Sequence, residues 1–169
     1  MNLNKQIDHT YLKPFGTRTE IEQLIHEAKE YRFKSVCVNP FWVKKAKTEL
    51  KNTDVLVCTV IGFPLGANTI ATKVFETRDA VVNGADEINM VLNIGLVKEQ
   101  NYSYIETEVK MVKEACSSRT LKVILETCYL TKEEINLASE ACYNAGADFV
   151  QTSTGFGTGG ALKEDIEIM

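Results

Sequence analysis

Long apolar runs, basic runs and paired cysteines are missing from this chain, and each absence removes a class of function. No apolar stretch approaches the ~20 residues that a membrane-spanning helix needs. The opening MNLNKQIDHT has no apolar signal-peptide core. A cytoplasmic protein with no membrane partner is therefore expected. Acids and bases are interspersed around a formal net charge of −4, so no basic stripe invites nucleic acid. The five cysteines, at positions 37, 58, 116, 128 and 142, form no CxxC pair, and the only two histidines are His9 and His26. Structural zinc needs tighter ligand spacing, so no metal and no other cofactor is expected. An odd cysteine count, with three of them in apolar runs, points to reduced and mostly buried thiols. No G-x-G-x-x-G opens a helix after the first strand, which disfavours a dinucleotide fold.

What is present is a chain of 169 residues, 44% hydrophobic and 25% charged, enough for one globular domain over 1–169 with a real core. Short apolar runs alternate with amphipathic stretches. The runs are SVCVN (35–39), VLVCTVIGF (55–63), EINMVLNIG (87–95), LKVILET (121–127) and DFVQTS (148–153), preceded by a shorter candidate, QIDHTYL (6–12). They are rich in Val and Ile without strict polar alternation, the pattern of parallel strands buried on both faces. TRTEIEQLIHEAKEYRF reads as a helix with apolar residues at 21, 24, 25 and 28 and Thr17 or Thr19 as N-cap. LTKEEINLASEACYNAG reads as another, with Thr131-x-x-Glu134 as capping box and Gly146 as stop. ANTIATKVFETRDAVVNG and NYSYIETEVKMVKEACS are similar, and FWVKKAKTELKN is shorter and more basic. Asn83-Gly-Ala-Asp86 and Asn144-Ala-Gly-Ala-Asp148 form a weak repeat, each closing a helix and opening a strand. About six strand–helix units predict an α/β fold, either a (β/α) barrel or an open doubly wound sheet.

Polar residues recur at the carboxyl ends of the strands: Asn39, Asn93, Glu126, Thr127, Gln151 and Thr152. In either fold that edge carries function. TSTGFGTGG (152–160) reads as a phosphate cradle of unshielded backbone N–H groups or as a flexible loop with turn glycines. IGFPLGAN (61–68) is a tight connection that is structural or lines the site. Lys122 reads as a lysine snorkelling from the solvent end of its strand in preference to a functional amine. Glu126 could be a general acid or base, or an ion-pair partner. Asp8 points inward or caps a turn. His26 is expected on the surface, and only one of Asp8 and His9 should face inward.

The motifs IDHTYLKP (7–14), SVCVNP (35–40), VCTVIGFPLGAN (57–68), GADEINMVLNIG (84–95), KVILETCYLT (122–131) and GADFVQTSTGFGTGGA (146–161) together resemble the deoxyribose-phosphate aldolase family. The match runs in order over nearly the whole chain. The resemblance implies a TIM (β/α)8 barrel and a metal-free class I aldolase that cleaves 2-deoxyribose 5-phosphate to acetaldehyde and glyceraldehyde 3-phosphate. A strand lysine would form the Schiff base, a second lysine would lower its pKa, and an aspartate would move the proton. Here the family's DFVKTSTGF is DFVQTSTGF, so Gln151 stands at the Schiff-base position. The family's ADEIDMV is ADEINMV, so Asn89 replaces the catalytic aspartate. With the chain ending at Met169, about six βα units of an incomplete barrel are expected, and the last two, with the second lysine and most of the phosphate loops, would be absent. By the same resemblance Asp8, Thr10, Cys37, Thr154 and Gly155 contact substrate, a small phosphorylated sugar or aldehyde.

Three readings follow. The chain is an aldolase-family member with lost or severely impaired activity, a non-catalytic remnant that binds a sugar phosphate or assembles with another chain, or an enzyme whose nucleophile has moved to Lys122 or Lys73. Six strands cannot close with normal barrel tilt and shear. Strands one and six should then expose edges that favour a homo-oligomer, an open distorted sheet or partial unfolding.

Overall fold

A computed structural model describes residues 3–169. Six strands lie in one sheet in chain order: β1 (Asp8–Tyr11), β2 (Ser35–Val38), β3 (Leu56–Ile61), β4 (Glu87–Val91), β5 (Thr120–Ile124) and β6 (Phe149–Gln151). Between them run α1 (Arg18–Glu30), α2 (Val43–Glu49), α3 (Ile70–Val82), α4 (Ile94–Lys98), α5 (Tyr102–Cys116), α6 (Lys132–Asn144) and, last, α7 (Lys163–Ile168). The chain forms two compact units. One comprises the chain up to Val60 with Asp79–Ile88, and the other Ile61–Arg78 with Asn89–Met169.

In the first unit β1 pairs with β2 and β2 with β3, all parallel, with Thr10 opposite Cys37 and Cys37 opposite Cys58. Every residue of β2 is buried, as an apolar run without alternation requires. Helix α1 buries Ile21, Leu24, Ile25 and Ala28. Thr17 is its N-cap, and the Glu20 carboxylate accepts from Thr17 N (2.6 Å) and Thr17 Oγ1 (2.9 Å). His26 is exposed. His9 meets Glu27 of α1 through Nε2 at 2.6 Å, whereas Asp8 Oδ1 accepts the Ser35 hydroxyl at 2.7 Å, so the two neighbours do point to opposite faces.

In the second unit β5 pairs with β6 in parallel, with Lys122 opposite Phe149 and Ile124 opposite Gln151. Thr131 caps α6: its Oγ1 accepts from Glu134 N at 3.2 Å, and Thr131 N donates to Glu134 Oε2 at 2.6 Å. Thr131→Ala is expected to cost ~1 kcal/mol, read as a lower urea midpoint at unchanged slope. Gly146, at φ +85°, follows α6 and supplies the left-handed stop. Four of the five cysteines are buried and none of the five forms a disulfide. Burial pushes the Cys116 and Cys142 thiols up to about 12.

The repeated Gly-Ala-Asp motif has a mechanical meaning. Asp86 N donates to Val57 O (2.7 Å) and Asp86 Oδ2 accepts from Val57 N (2.9 Å). Asp148 N donates to Leu121 O (2.9 Å) and Asp148 Oδ2 accepts from Leu121 N (2.7 Å). Each aspartate therefore clasps both backbone groups of one residue on the preceding strand, and each also meets a lysine, Lys47 or Lys113.

The strands are shorter than the apolar runs. EINMVLNIG gives β4 only to Val91, because Asn93 turns the chain into α4 and accepts Leu96 N at 3.3 Å. FWVKKAKTELKN divides into a 3-10 turn, Pro40–Trp42, followed by α2.

Candidate active site

Asn39 and Asn93, read from sequence as carboxyl-edge candidates, serve the backbone. Asn39 Nδ2 donates to Leu12 O at 3.2 Å, and Asn93 caps α4. Gln151 is the last residue of β6. Leu92 N donates to Ile124 O (3.2 Å), the parallel-ladder bond that sets Val91 beside Ile124. Asn89 lies two residues before Val91, so it shares a face with Lys122, Ile124 and Gln151. Asn89 is 5% exposed. Its Oδ1, Gln151 Oε1 and Ser153 Oγ are all shielded from solvent and have no hydrogen-bond partner. Three orphaned polar atoms within one short region are costly unless a ligand or water meets them.

Lys122 is 7% exposed. The solvent-end, snorkelling reading is therefore wrong. β5 begins at Thr120, so Lys122 is its middle residue, enclosed with the strand. Lys73 is more enclosed still, at 0% exposure. Its Nζ donates to Glu108 Oε1 (2.8 Å) and to Val91 O (2.8 Å), and Glu108 Oε2 accepts from Asn93 N (3.0 Å). Burial pulls the Lys73 ammonium down and pushes the Glu108 carboxyl up, and their mutual attraction opposes both shifts.

IGFPLGAN folds as a close turn. Gly62 (φ +62°) donates its N–H to Glu76 Oε2 at 2.9 Å. Gly66 (φ +69°) lies so near Leu92 that a Cβ there would come 1.9 Å from the Leu92 carbonyl oxygen. Pro64 and Leu65 then line a cavity of about 120 Å³ with Glu126, Thr154, Phe156 and Gly157. Phe63 meets Phe156 edge to face, centroids 5.3 Å apart. This turn is both a connection and a site wall.

The glycine-rich loop is less open than a bare cradle. Thr154 N donates to Glu126 Oε1 (3.2 Å), the Thr154 hydroxyl donates to Glu126 Oε2, and Phe156 N donates to Thr154 Oγ1 (3.0 Å). Two of its leading N–H groups therefore already have internal acceptors. Thr154 is buried and Gly155, at φ +82°, is exposed.

In the first unit Asp8, Thr10 and Cys37 share one face: Thr10 stands two residues after Asp8 and opposite Cys37. Thr10 is exposed, with its hydroxyl donating to Asp8 O at 2.8 Å, and Cys37 is buried. Asp8, Cys58 and Glu87 hold ligand-type atoms all within 4.8 Å of one another. No sequence spacing shows that trio, because its members come from three different strands.

Strand–helix alternation in a parallel sheet, with polar side chains gathered at the carboxyl ends, places the chain in the (β/α)8-barrel class, of which it carries six βα units. Within that class the chain belongs to the DeoC/LacD aldolase family, whose sequence profile matches residues 3–169. It is 59% identical over 169 residues to the deoxyribose-phosphate aldolase of Macrococcus caseolyticus, covering 100% of this chain and 77% of that one. A candidate deoxyribose-phosphate aldolase from Coccidioides immitis superposes with a TM-score of 0.96 at 41% identity, over 99% of this chain and 66% of that one. The deoxyribose-phosphate aldolase of Aeropyrum pernix, described as a unique tetramer, gives 0.80 at 32% identity, over 91% of this chain and 65% of that one. Among the described residues no helix is long and apolar enough to cross a membrane.

Proposed function

We propose that this chain keeps the ligand-binding frame of a deoxyribose-phosphate aldolase and has lost, or nearly lost, its covalent chemistry. The observation that carries the reading is Gln151. It ends β6 with its side-chain oxygen buried and unpartnered, where the resemblance puts the Schiff-base lysine. An amide nitrogen delocalises its lone pair into the carbonyl, so it neither attacks an aldehyde nor forms an iminium, the electron sink of the reaction. Asn89 compounds the loss, because an amide keeps the shape of a carboxylate and cannot accept and return a proton at neutral pH. The ligand class is a small phosphorylated sugar or aldehyde, held without a covalent bond and without a metal or cofactor, with Thr154 and Gly155 the contacts that the resemblance gives beside Gln151.

The test is borohydride trapping with acetaldehyde on a sample shown by circular dichroism to be folded, read by intact mass. No adduct is expected. One specific adduct mapped to a lysine would overturn the reading. Lys122 is the lysine to inspect first, being an enclosed amine on the face that Gln151 shares. Lys73 would first have to leave Glu108 and the Val91 carbonyl.

A second reading, assembly with further chains, is favoured by Phe149, 59% exposed on the terminal strand β6. An apolar ring so placed suits a chain–chain contact. Sedimentation of the parent against Phe149→Ser, with the variant shifted to the smaller species, is the expected signature.

A further inference from the structure

We infer that Glu126 is the positioning residue of the loop that follows position 151, acting as an internal anion around which Thr154–Gly157 is built. This rests on the reading above only in taking that loop as the ligand-binding segment.

Four observations converge on this side chain. Glu126 is 2% exposed, and its backbone sits in the left-handed region at φ 57°, ψ 60°, which a non-glycine residue adopts only where its surroundings enforce it. Its carboxylate takes both donors of Thr154, and Cys128 Sγ lies 3.9 Å from Oε1. The loop is shaped to the carboxylate: a Cβ on Gly157 would fall 3.0 Å from Glu126 Cδ and 2.8 Å from Cys128 Sγ. The same stretch of backbone is tied again by Thr127 N donating to Thr152 O at 2.8 Å. A buried carboxylate held by neutral donors is expensive to maintain, and stability alone gives it little advantage over an apolar residue of similar size.

The consequence is directional. Through Glu126 the Thr154 N–H and hydroxyl turn inward. That fixes where Gly155 and the glycines after Phe156 present their own backbone, next to the cavity that Pro64 and Leu65 close. The cost is a negative charge within van der Waals reach of a loop whose proposed ligand is an anion. Positioning and charge can therefore be separated by substitution. Glu126→Ala removes both. Glu126→Gln keeps one acceptor oxygen for Thr154 and removes the charge, with an amide NH2 in place of the second oxygen.

The experiment is titration of the folded chain and both variants with inorganic phosphate, followed by calorimetry, alongside amide exchange of Thr154 and Phe156 by NMR. Glu126→Ala should weaken phosphate binding about tenfold or more, the scale of a lost charge-assisted pair of hydrogen bonds. Glu126→Gln should bind at least as tightly as the parent, and a few-fold tighter where the lost charge faced the ligand. Equal loss in both variants, or no change in either, would overturn the inference. If the parent binds no phosphate, the ligand-binding reading of the loop fails, and amide exchange decides the positioning role by itself. Protection at Thr154 and Phe156 lost in Glu126→Ala and kept in Glu126→Gln supports it, and unchanged protection in both refutes it.

Discussion

Glu108→Ala should lower the stability of this chain by roughly 3–5 kcal/mol, the usual scale when one partner of a buried ion pair is removed. Glu108 and Lys73 are both 0% exposed. Without the carboxylate, the Lys73 ammonium keeps only the Val91 carbonyl as acceptor, and Asn93 N–H loses the oxygen it donates to. The lysine cannot reach water easily. Its stem runs against Gly62, where a Cβ would lie 2.8 Å from Lys73 Cε, so the side chain is confined along its length. At this chain length the loss corresponds to a fall in Tm of roughly 6–20 °C. Lys73→Met combined with Glu108→Leu should recover much of it by removing both charges, although Asn93 N–H stays unpaired. Equilibrium urea unfolding of the two single variants and the double gives the coupling directly. A loss below about 1 kcal/mol in Glu108→Ala would mean that the pair behaves as a surface contact, contrary to its enclosure.

The second large effect is a gain. On the reading proposed above the parent traps no aldehyde, and Gln151→Lys should be trapped at a single site by acetaldehyde and borohydride. A lysine there enters a shielded position, since the oxygen it replaces is out of contact with solvent. Burial favours the neutral amine, the only form that attacks a carbonyl. Lys122 lies enclosed on the adjacent strand, opposite Phe149 and on the same face. Adding Asn89→Asp supplies a proton carrier, and cleavage of 2-deoxyribose 5-phosphate by the double variant should exceed that of Gln151→Lys by about a hundredfold or more. Glyceraldehyde 3-phosphate release in a coupled assay measures it. A folded Gln151→Lys chain with no adduct would show that position 151 is not where the aldehyde arrives.

Local features of the fold were legible in the sequence. The start of α6 follows from Thr131 with Glu134, because capping is settled within four residues, whereas Thr17 and Thr19 both suit the start of α1 and the structure selects Thr17. Strand ends were read too long, since apolar character continues into the turns that Asn93 and Glu126 begin. Lys122 reads as a solvent-end lysine because the run LKVILET begins one residue after β5 does and extends past its end, whereas in β5 it is the middle residue. The departures that the resemblance implies at Gln151 and Asn89 rest on a surrounding motif that is long and specific. What no local pattern showed were pairings at long range. Lys73 and Glu108 are 35 residues apart, and Glu126 and Thr154 are 28 apart. A carboxylate in an amphipathic helix such as α5 looks like a solvated one until its partner is known.

The two aspartate clasps also bear on how strand alignment is decided. Asp86 reaches Val57 across 29 residues and Asp148 reaches Leu121 across 27. Loops of that size are cheap to close compared with contacts spanning the whole chain. Because each clasp satisfies both backbone groups of a single residue, a slip by one position would break all of its bonds and turn every side chain of the strand to the wrong face. Alignment is thus checked separately within these two strand–helix–strand segments. A misplaced strand in one segment need not carry its error into the other, and side chains elsewhere on these strands can change while the clasps keep the strands in register.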